Sequence, residues 1–409
     1  MIKKRVLILI WLALCVFFII FKGVYKGWQE ERCDFSNYYS SAALLAEGES
    51  ISDFYNNEWF EKKAIQIGVK EGAKFSPFPP ATAFLYIPLT IFSPIKAKRI
   101  WVICNVLLIG LLTFRMRKIS SLNYFEIALI LSLFTIPMAS NIRLGQSYLL
   151  FSVIIIEFLL AIKKEKYRFG GGMLGIAASL KYLPLIYFFY NYPKSNKKLI
   201  VSIVISILLV SLLPLFWGET EAYFVFIQEF WNHSNGNISG QGQFSYTFQS
   251  IDAILANIFI YDQQFNPKAL FNLPTLKGIL KLLFVMIVFV TTMRTTKSQR
   301  KESNDLTKGL YIIAGLLVIP ASASYHLLLL IPATLLIIGF LKNKKHLKRE
   351  IILVYIFVFM SCNVLPHHIP TIEVSHTLNT IIHFPRLYGL MATFVLLLYI
   401  QKKRLIKNG

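Results

Sequence analysis

Apolar residues in this chain neither alternate nor keep to one helical face; they come in unbroken runs separated by short basic stretches. The runs occupy 5–22, 80–95, 100–114, 124–139, 144–162, 198–216, 277–293, 307–320, 324–341, 350–365 and 384–400. A further apolar stretch, 169–192, is interrupted by Lys181 and Pro184. A helix of about 20 apolar residues crosses the hydrocarbon of a bilayer, so the pattern predicts an all-α, polytopic membrane protein of about 12 transmembrane helices. No soluble domain and no inverted repeat stands between the runs, so 1–409 reads as one integral membrane domain. The first run lacks a small-residue cleavage site and reads as a retained helix.

Two long loops carry whatever chemistry the helix ends do not. In the first, 23–79, "SNYYSSAALLAEG" predicts a short amphipathic helix lying on the membrane, with Ser36 or Asp34 as cap and Gly48 as stop signal. "KFSPFPPATAFLYIPL" then returns to the bilayer, Pro79 and Pro80 suiting a helix's first turn. The second loop, 217–276, contains the Gly- and Asn-rich "NHSNGNISGQGQFSYTF", for which the sequence predicts no regular element.

Composition agrees with the pattern: 55% of residues are hydrophobic and mean hydropathy is +0.56, against a roughly 45–50% apolar share in soluble domains. The net charge of +22 raises nucleic acid as a partner. The basic residues instead punctuate the runs, as "KKR" at 3–5, "KKEKYR" at 163–168, "RTTKSQRK" at 294–301, "KNKKHLKR" at 342–349 and "KKRLIK" at 402–407. Short basic loops mark the cytoplasmic side of a membrane, so the charge reports topology, and no nucleic acid is expected. Both termini are then cytoplasmic, while 23–79, 140–146, 217–276 and 365–383 lie outside with 15 of the 21 acidic residues. One conflict remains, since "KAKR" at 96–99 and "RMRK" at 115–118 flank a single run. One of the three runs between 80 and 139 is therefore expected to be short, re-entrant or interfacial.

An ionisable group in or beside an apolar run needs a reason. Asp34 follows the first crossing and is set against Phe35, Tyr38 and Tyr39. It reads equally as a helix cap and as a functional carboxylate whose burial against the aromatics would raise its pKa. Arg143 and Gln146, in "SNIRLGQSYLL", begin another crossing; Lys181 sits at the break in "GIAASLKYLPLIYF"; His326 begins a third in "SASYHLLLLIP". The alternative for Arg143 and Lys181 is snorkelling to headgroups, and for His326 a packing role. Glu157 is expected to pair with Lys163 or Lys164. The triple glycine at 170–172 lacks the context of a phosphate loop and reads as close helix packing. The histidines 367, 368, 376 and 383 lack metal-ligand spacing, so neither a metal nor a cofactor is expected.

One carboxylate with several cations suits attack by a hydroxyl on a carbon that carries a phosphate leaving group. At this point "DFSNYYSSAALLAEGE", "SPFPPATAFLYIPL", "RLGQSYLL", "GGGMLGIAASLKYLP" and "SASYHLLLLIP", in that order, resemble the family 87 glycosyltransferases. The resemblance implies the GT-C membrane fold and a polyprenyl-phosphate-linked mannose donor. It also implies Asp34 as base, with Gln146, Lys181 and His326 near the donor phosphate. The chain departs from the family pattern at Phe78, at Ser147 and in "ASASYH". The expected partners are a polyprenyl-phosphate sugar, a glycolipid or glycan acceptor and membrane lipid, with the site on the outer face of a bacterial cytoplasmic membrane. An O-antigen-type polymerase or ligase is a second reading, although loop 217–276 has no arginine to serve one. A transporter or flippase of lipid-linked sugar is a third.

The charge pattern makes a direct prediction. Single cysteines placed in 217–276 and 365–383 should react with an impermeant thiol reagent added outside intact cells, and those in 294–306 and 342–349 should not. A cytoplasmic 217–276 would put the expected site on the wrong face.

Overall fold

The computed structural model describes residues 2–70, 72–75, 77–191, 196–234, 242–297, 305–344, 347–365, 369 and 376–408. Among them the chain is helical and forms no strand. In chain order the helices used below are α1 (Arg5–Gln29), α2 (Phe35–Ala46), α3 (Asn57–Gln66), α4 (Pro94–Ile119), α5 (Tyr124–Ser132), α6 (Thr135–Leu144), α7 (Tyr148–Lys163), α8 (Tyr167–Leu180), α9 (Lys197–Ser211), α10 (Pro274–Lys297), α11 (Asp305–Leu317), α12 (Leu330–Lys342), α13 (Lys348–Asn363) and α14 (Pro385–Asn408).

Five stretches among the described residues are long and apolar enough to cross a membrane: α1, α4, Lys197–Phe216, Pro274–Thr295 and Ser324–Lys342. The pair α5 and α6, bent by 71° at the break between them, makes a sixth if it is counted as one span. The chain is therefore the helical membrane protein its apolar runs predict, but by this measure the crossings fall short of the expected about 12. Helix length explains part of the difference. At 16 residues, α7 extends only about 24 Å, less than the roughly 30 Å of a bilayer's hydrocarbon. Run 80–95 folds as the 3-10 helix Pro80–Leu89 and a turn before α4. Of the three runs between 80 and 139, the first is thus a short helix, the last is bent, and α4 is one unbroken helix with a basic cluster at each end.

The chain divides into two compact units, the first built from the described residues of 1–119, 138–185 and 195–239. Here α1 contains a π-helical turn at Ile19–Tyr25 and packs against α6 through Gly23 and Gly27. A Cβ on Gly23 would lie 3.0 Å from the Ala139 Cα, and one on Gly27 3.0 Å from the Ile142 carbonyl oxygen. The C-terminal end of α1 is closed by α4: Lys98 Nζ donates to the Glu30 carbonyl, and Arg99 Nε donates to that of Trp28 at 3.4 Å. Cations suit the orphan carbonyls and negative dipole end of a helix. Two of the basic residues in "KAKR" therefore serve α1, which accounts for their place opposite "RMRK".

Helix α2 departs from expectation. It does not lie on a surface: all its residues except Asn37 and Ala46 are buried, and it packs along Pro80–Leu89. Its run of small residues, Ser40 to Ala43, lets neighbours approach on every side, and an aromatic cluster of Phe54, Phe60 and Phe75 closes the far end. Gly48, at φ +88°, terminates the helix as the sequence predicts. Ser36 does not cap it; the Ser36 hydroxyl donates to the Glu31 carbonyl at 3.2 Å, and Asp34 holds the cap position.

The glycines of α8 meet α9 as read from sequence. A Cβ on Gly171 would come 2.6 Å from the Leu199 oxygen and one on Gly175 2.7 Å from the Ile203 oxygen, the close backbone approach that small residues allow between membrane helices. Glu157 pairs with Arg115 of α4, not with the neighbouring lysines; Lys163 donates to the Ile119 carbonyl instead.

The second unit comprises the described residues of 120–137, 186–194 and 240–409. Helix α11 packs on α12 and α14, and α13 packs on α14 where Gly389 meets the Ser361 backbone. A capping box of Asn123 and Glu126 starts α5, and Glu126 also pairs with Lys342 at 2.6 Å. Buried Asp252 is answered by Lys277 and Lys281 at 3.2 and 2.9 Å. Buried Gln249 ties three segments together: its backbone N–H donates to the Ser322 carbonyl, its side-chain amide donates to that of His383, and its oxygen accepts from the Arg386 N–H. All four cysteines of the chain are free.

Packing of α8 on α9 is open to a clean test. Gly175→Val is expected to destabilise the purified protein by about 1–3 kcal/mol or more through overpacking, read as a lower midpoint in detergent thermal melts. Gly172→Ala, whose Cβ meets only Ser206 Oγ at 3.6 Å, is expected to be neutral or stabilising. Equal losses in both variants would contradict this helix contact.

Candidate active site

The site of the first unit is built around the turn 145–147, which joins α6 to α7. Gly145 adopts φ +69°, where a Cβ would stand 2.5 Å from the Cβ of Phe35, so only glycine fits both the backbone and the neighbour. Side chains hold the turn from three directions. Trp101 Nε1 of α4 donates to the Gly145 carbonyl at 3.0 Å. Asn141 Nδ2 donates to the Gln146 carbonyl at 3.1 Å and to Asn105 Oδ1 at 2.8 Å, while Asn141 Oδ1 accepts from the Tyr148 N–H at 3.0 Å. The Tyr86 and Ser147 hydroxyls are hydrogen-bonded at 2.7 Å.

The side chain of Gln146 projects from this turn between opposite charges. Its Nε2 donates to Asp34 Oδ2 at 2.7 Å. Its Oε1 accepts from the Tyr38 hydroxyl at 2.5 Å and from Lys181 Nζ at 3.0 Å. Lys181 Nζ also donates to the Tyr38 hydroxyl oxygen at 2.6 Å. Asp34 and Tyr38 are one helical turn apart on α2 and so share a face. Lys181 ends α8, where extended backbone (φ −151°, ψ 127°) breaks the helix ahead of Pro184, and Thr82 Oγ1 donates to the freed Leu180 carbonyl at 2.7 Å.

Burying an ammonium needs compensation. Lys181 is 7% exposed, and besides its two hydrogen bonds it lies 4.7, 4.9 and 5.1 Å from the ring centroids of Tyr148, Phe78 and Tyr38, within cation–π range. It also interacts electrostatically with the Asp34 carboxylate. The Tyr38 ring is itself stacked on Phe78 and Tyr86 at 5.0 and 4.9 Å. Asp34 is half-buried whereas Tyr38, Gln146 and Lys181 are buried, so the cluster meets its surroundings at the carboxylate. Asp34 occupies the cap position of α2 yet makes no side-chain cap hydrogen bond.

Four of the six sequence-selected residues thus come together: Asp34, Tyr38, Gln146 and Lys181. Arg143 does not join them. Its exposed guanidinium grips the Glu30 carboxylate at 2.6 and 2.7 Å, which holds the Glu30 carboxyl below the usual carboxylate range. His326 belongs to the second unit, in the 3-10 helix Ser324–Leu329. There its Nδ1 accepts from the Ala323 N–H at 3.1 Å, so in the neutral ring the proton sits on Nε2. Both ring nitrogens of His383 face backbone carbonyls, those of Asn379 and Ile369. His367, His368 and Glu373 lie outside the described residues.

The candidate site thus combines a half-buried carboxylate, an amide fixed between it and a buried cation, and aromatic walls. The sequence profile of glycosyltransferase family 87 matches residues 77–320, more than half of the chain. The chain belongs to glycosyltransferase family 87. No curated protein and no solved structure matches it. As a member of family 87 it is a glycosyltransferase of the membrane, carrying a sugar from a donor to an acceptor. The family match contains Phe78, Arg143, Gln146 and Lys181, begins after Asp34 and Tyr38, and ends before His326. Sequence reasoning missed the residues that hold the turn of this candidate site: Trp101, Asn105, Asn141 and Tyr86. For Asn105 a signal existed, since an amide within an apolar run is costly without partners; Asn141, in the turn between two runs, offered none. For Trp101 and Tyr86, two aromatics among many, there was none.

The turn can be tested through Gly145. Gly145→Ala adds strain of about 1–3 kcal/mol at positive φ and a clash with Phe35. It should therefore lower both the melting temperature and sugar transfer. Gly48→Ala, at φ +88° with nothing within 4 Å, should cost stability alone and leave transfer intact. Unaltered transfer in Gly145→Ala would show that the position of the turn does not matter to the reaction.

Proposed function

We propose that this family 87 member is an inverting glycosyltransferase that moves a hexose, mannose on the sequence resemblance, from a polyprenyl-phosphate donor. The acceptor is a hydroxyl of a glycolipid or glycan at the outer face of a bacterial cytoplasmic membrane. The observation that carries the proposal is the state of Asp34: it stands where a helix cap would, makes no cap bond, and is held by Gln146 against Lys181 and Tyr38.

In the proposed reaction the acceptor oxygen attacks the anomeric carbon, forming a new C–O bond as the bond from that carbon to the phosphate oxygen breaks. Asp34 takes the acceptor's proton. The electron pair leaves with the phosphate, which departs as an anion and needs no acid, so one carboxylate suffices. The positive end of the cluster, Lys181, is the group suited to charge growing on the leaving phosphate. Tyr38 offers ring surface and a hydroxyl. His326 is kept as a donor-phosphate residue, and Arg143 as a substrate residue, on sequence grounds alone.

Asp34→Asn separates this role from a structural one. Asparagine and aspartate cap helices about equally well, and Asn can still accept from Gln146, but it cannot take a proton. The variant should fold and bind polyprenyl-phosphate-mannose while transferring sugar to a membrane glycolipid extract at least about a hundredfold more slowly. Substantial retained transfer would remove Asp34 from the chemistry.

A further inference from the structure

A second feature of the first unit has no part in the transfer scheme. A cavity of about 340 Å³ lies between α2, the loop after α3 and the start of α4, within the size range of small-molecule sites. Its α2 lining is Phe35, Ser36 and Tyr39, the stripe adjoining that of Asp34 and Tyr38, and neither of those two lines it. Phe35 is the partition: it touches the cavity and also packs against Gly145 and Tyr86.

Among the described residues, the cation in this cavity has one hydrogen-bond partner and no ion pair. Lys98, 2% exposed, lines it and donates one N–H to the Glu30 carbonyl. An ammonium has three such donors, and the other two meet no hydrogen-bond acceptor among the described residues. Of the described acids nearby, neither forms an ion pair with it: Glu30 is clamped by Arg143 and reaches Lys98 only as a longer-range electrostatic partner, and Glu31, which lines the cavity with Lys70, pairs with that lysine at 3.6 Å at the exposed rim. The two hydroxyls of the floor donate elsewhere, Ser36 to the Glu31 carbonyl and Tyr39 to that of Phe92 at 2.7 Å. The wall formed by Ser93, Pro94 and Ile95 is the start of α4, whose first N–H groups lack intrahelical acceptors and favour an anion. Exposed Ile91 and Phe92 directly precede the lining residue Ser93, the Phe92 carbonyl accepting from lining Tyr39, and lie just ahead of a helix long enough to cross a membrane.

A buried cation with spare donors, a helix start and an adjoining apolar lip fit one ligand chemistry. The geometry points to a phosphate-binding site in this cavity, occupied by the headgroup of an anionic lipid whose chains lie along Ile91 and Phe92. The site is separate from the transfer cluster, and its occupancy is read without any sugar being moved.

The test uses the full chain in phosphatidylcholine nanodiscs, titrated with short-chain phosphatidic acid in the absence of sugar donor. Saturable binding is expected, with no comparable binding of a short-chain phosphatidylcholine. Ser93→Glu puts a like charge at the rim and should weaken phosphatidic acid binding by about tenfold or more, while leaving the fold intact because an acid suits the start of a helix. Lys98→Met should also weaken it, and Ser93→Glu keeps the test decisive if loss of the Lys98 cap on α1 unfolds the chain. Inorganic phosphate that binds and competes would keep the phosphate site but assign it to a free ion. Phosphatidic acid bound equally by wild type and Ser93→Glu, or no more tightly than phosphatidylcholine, would overturn the proposal.

Discussion

Everything in the first unit's site depends on the orientation of one amide. Lysine can only donate hydrogen bonds and an ionised carboxylate can only accept them. An amide between the two has one satisfactory orientation, oxygen toward Lys181 and nitrogen toward Asp34, and Gln146 adopts it. The Tyr38 hydroxyl closes the arrangement by accepting from Lys181 and donating to Gln146. Opposite charges are thus joined through a fixed dipole without direct contact between ammonium and carboxylate. The interposed amide answers each charge with a hydrogen bond of the matching sense.

That arrangement holds only if the amide cannot swing, and the packing around it serves this end. Gln146 follows a glycine that Phe35 leaves no room to replace, and its own carbonyl is held by Asn141. Lys181 is fixed by three aromatic rings and by the helix break that places it. Because Tyr38 contributes to both the hydrogen bonds and the aromatic wall, α2 has to be buried, and a helix of this composition on the membrane surface could not supply these contacts. The depth of α2 and the burial of Lys181 are therefore one requirement seen from two sides.

This also marks how far the sequence was legible. Asp34, Gln146 and Lys181 stood out because each is a polar group next to an apolar run, where cost implies purpose. The membrane class and the helix-packing glycines of α8 followed from pattern alone. The burial of α2 did not, because the serines and alanines of "SSAALL" suit a membrane surface and a crowded interior equally, and only the presence of neighbours decides between them. The partner of Glu157 was missed for a related reason: local spacing favours the nearby lysines, while Arg115 is close only through the packing of α4 on α7. Gly23 and Gly27 offered a readable small-residue pair on α1, overshadowed by the longer glycine run of α8.

The placement of "KAKR" carries the argument one step further. Cations at both ends of α4 conflict with a rule that counts charges as if all were free. Lys98 and Arg99 are not free in that sense, since both close the carbonyl end of α1, and Arg99 also stacks 5.3 Å over the Trp28 ring. The same contacts set the direction in which the chain leaves α1, at Glu30, four residues before Asp34. Glu30 in turn grips Arg143, three residues before Gln146. The end of α1 is thus tied to both halves of the site, to the loop that presents the carboxylate and to the helix whose terminal turn presents the amide. Arg143, read from the sequence as a substrate residue or as one snorkelling to headgroups, spends its guanidinium in this structure on that link to Glu30.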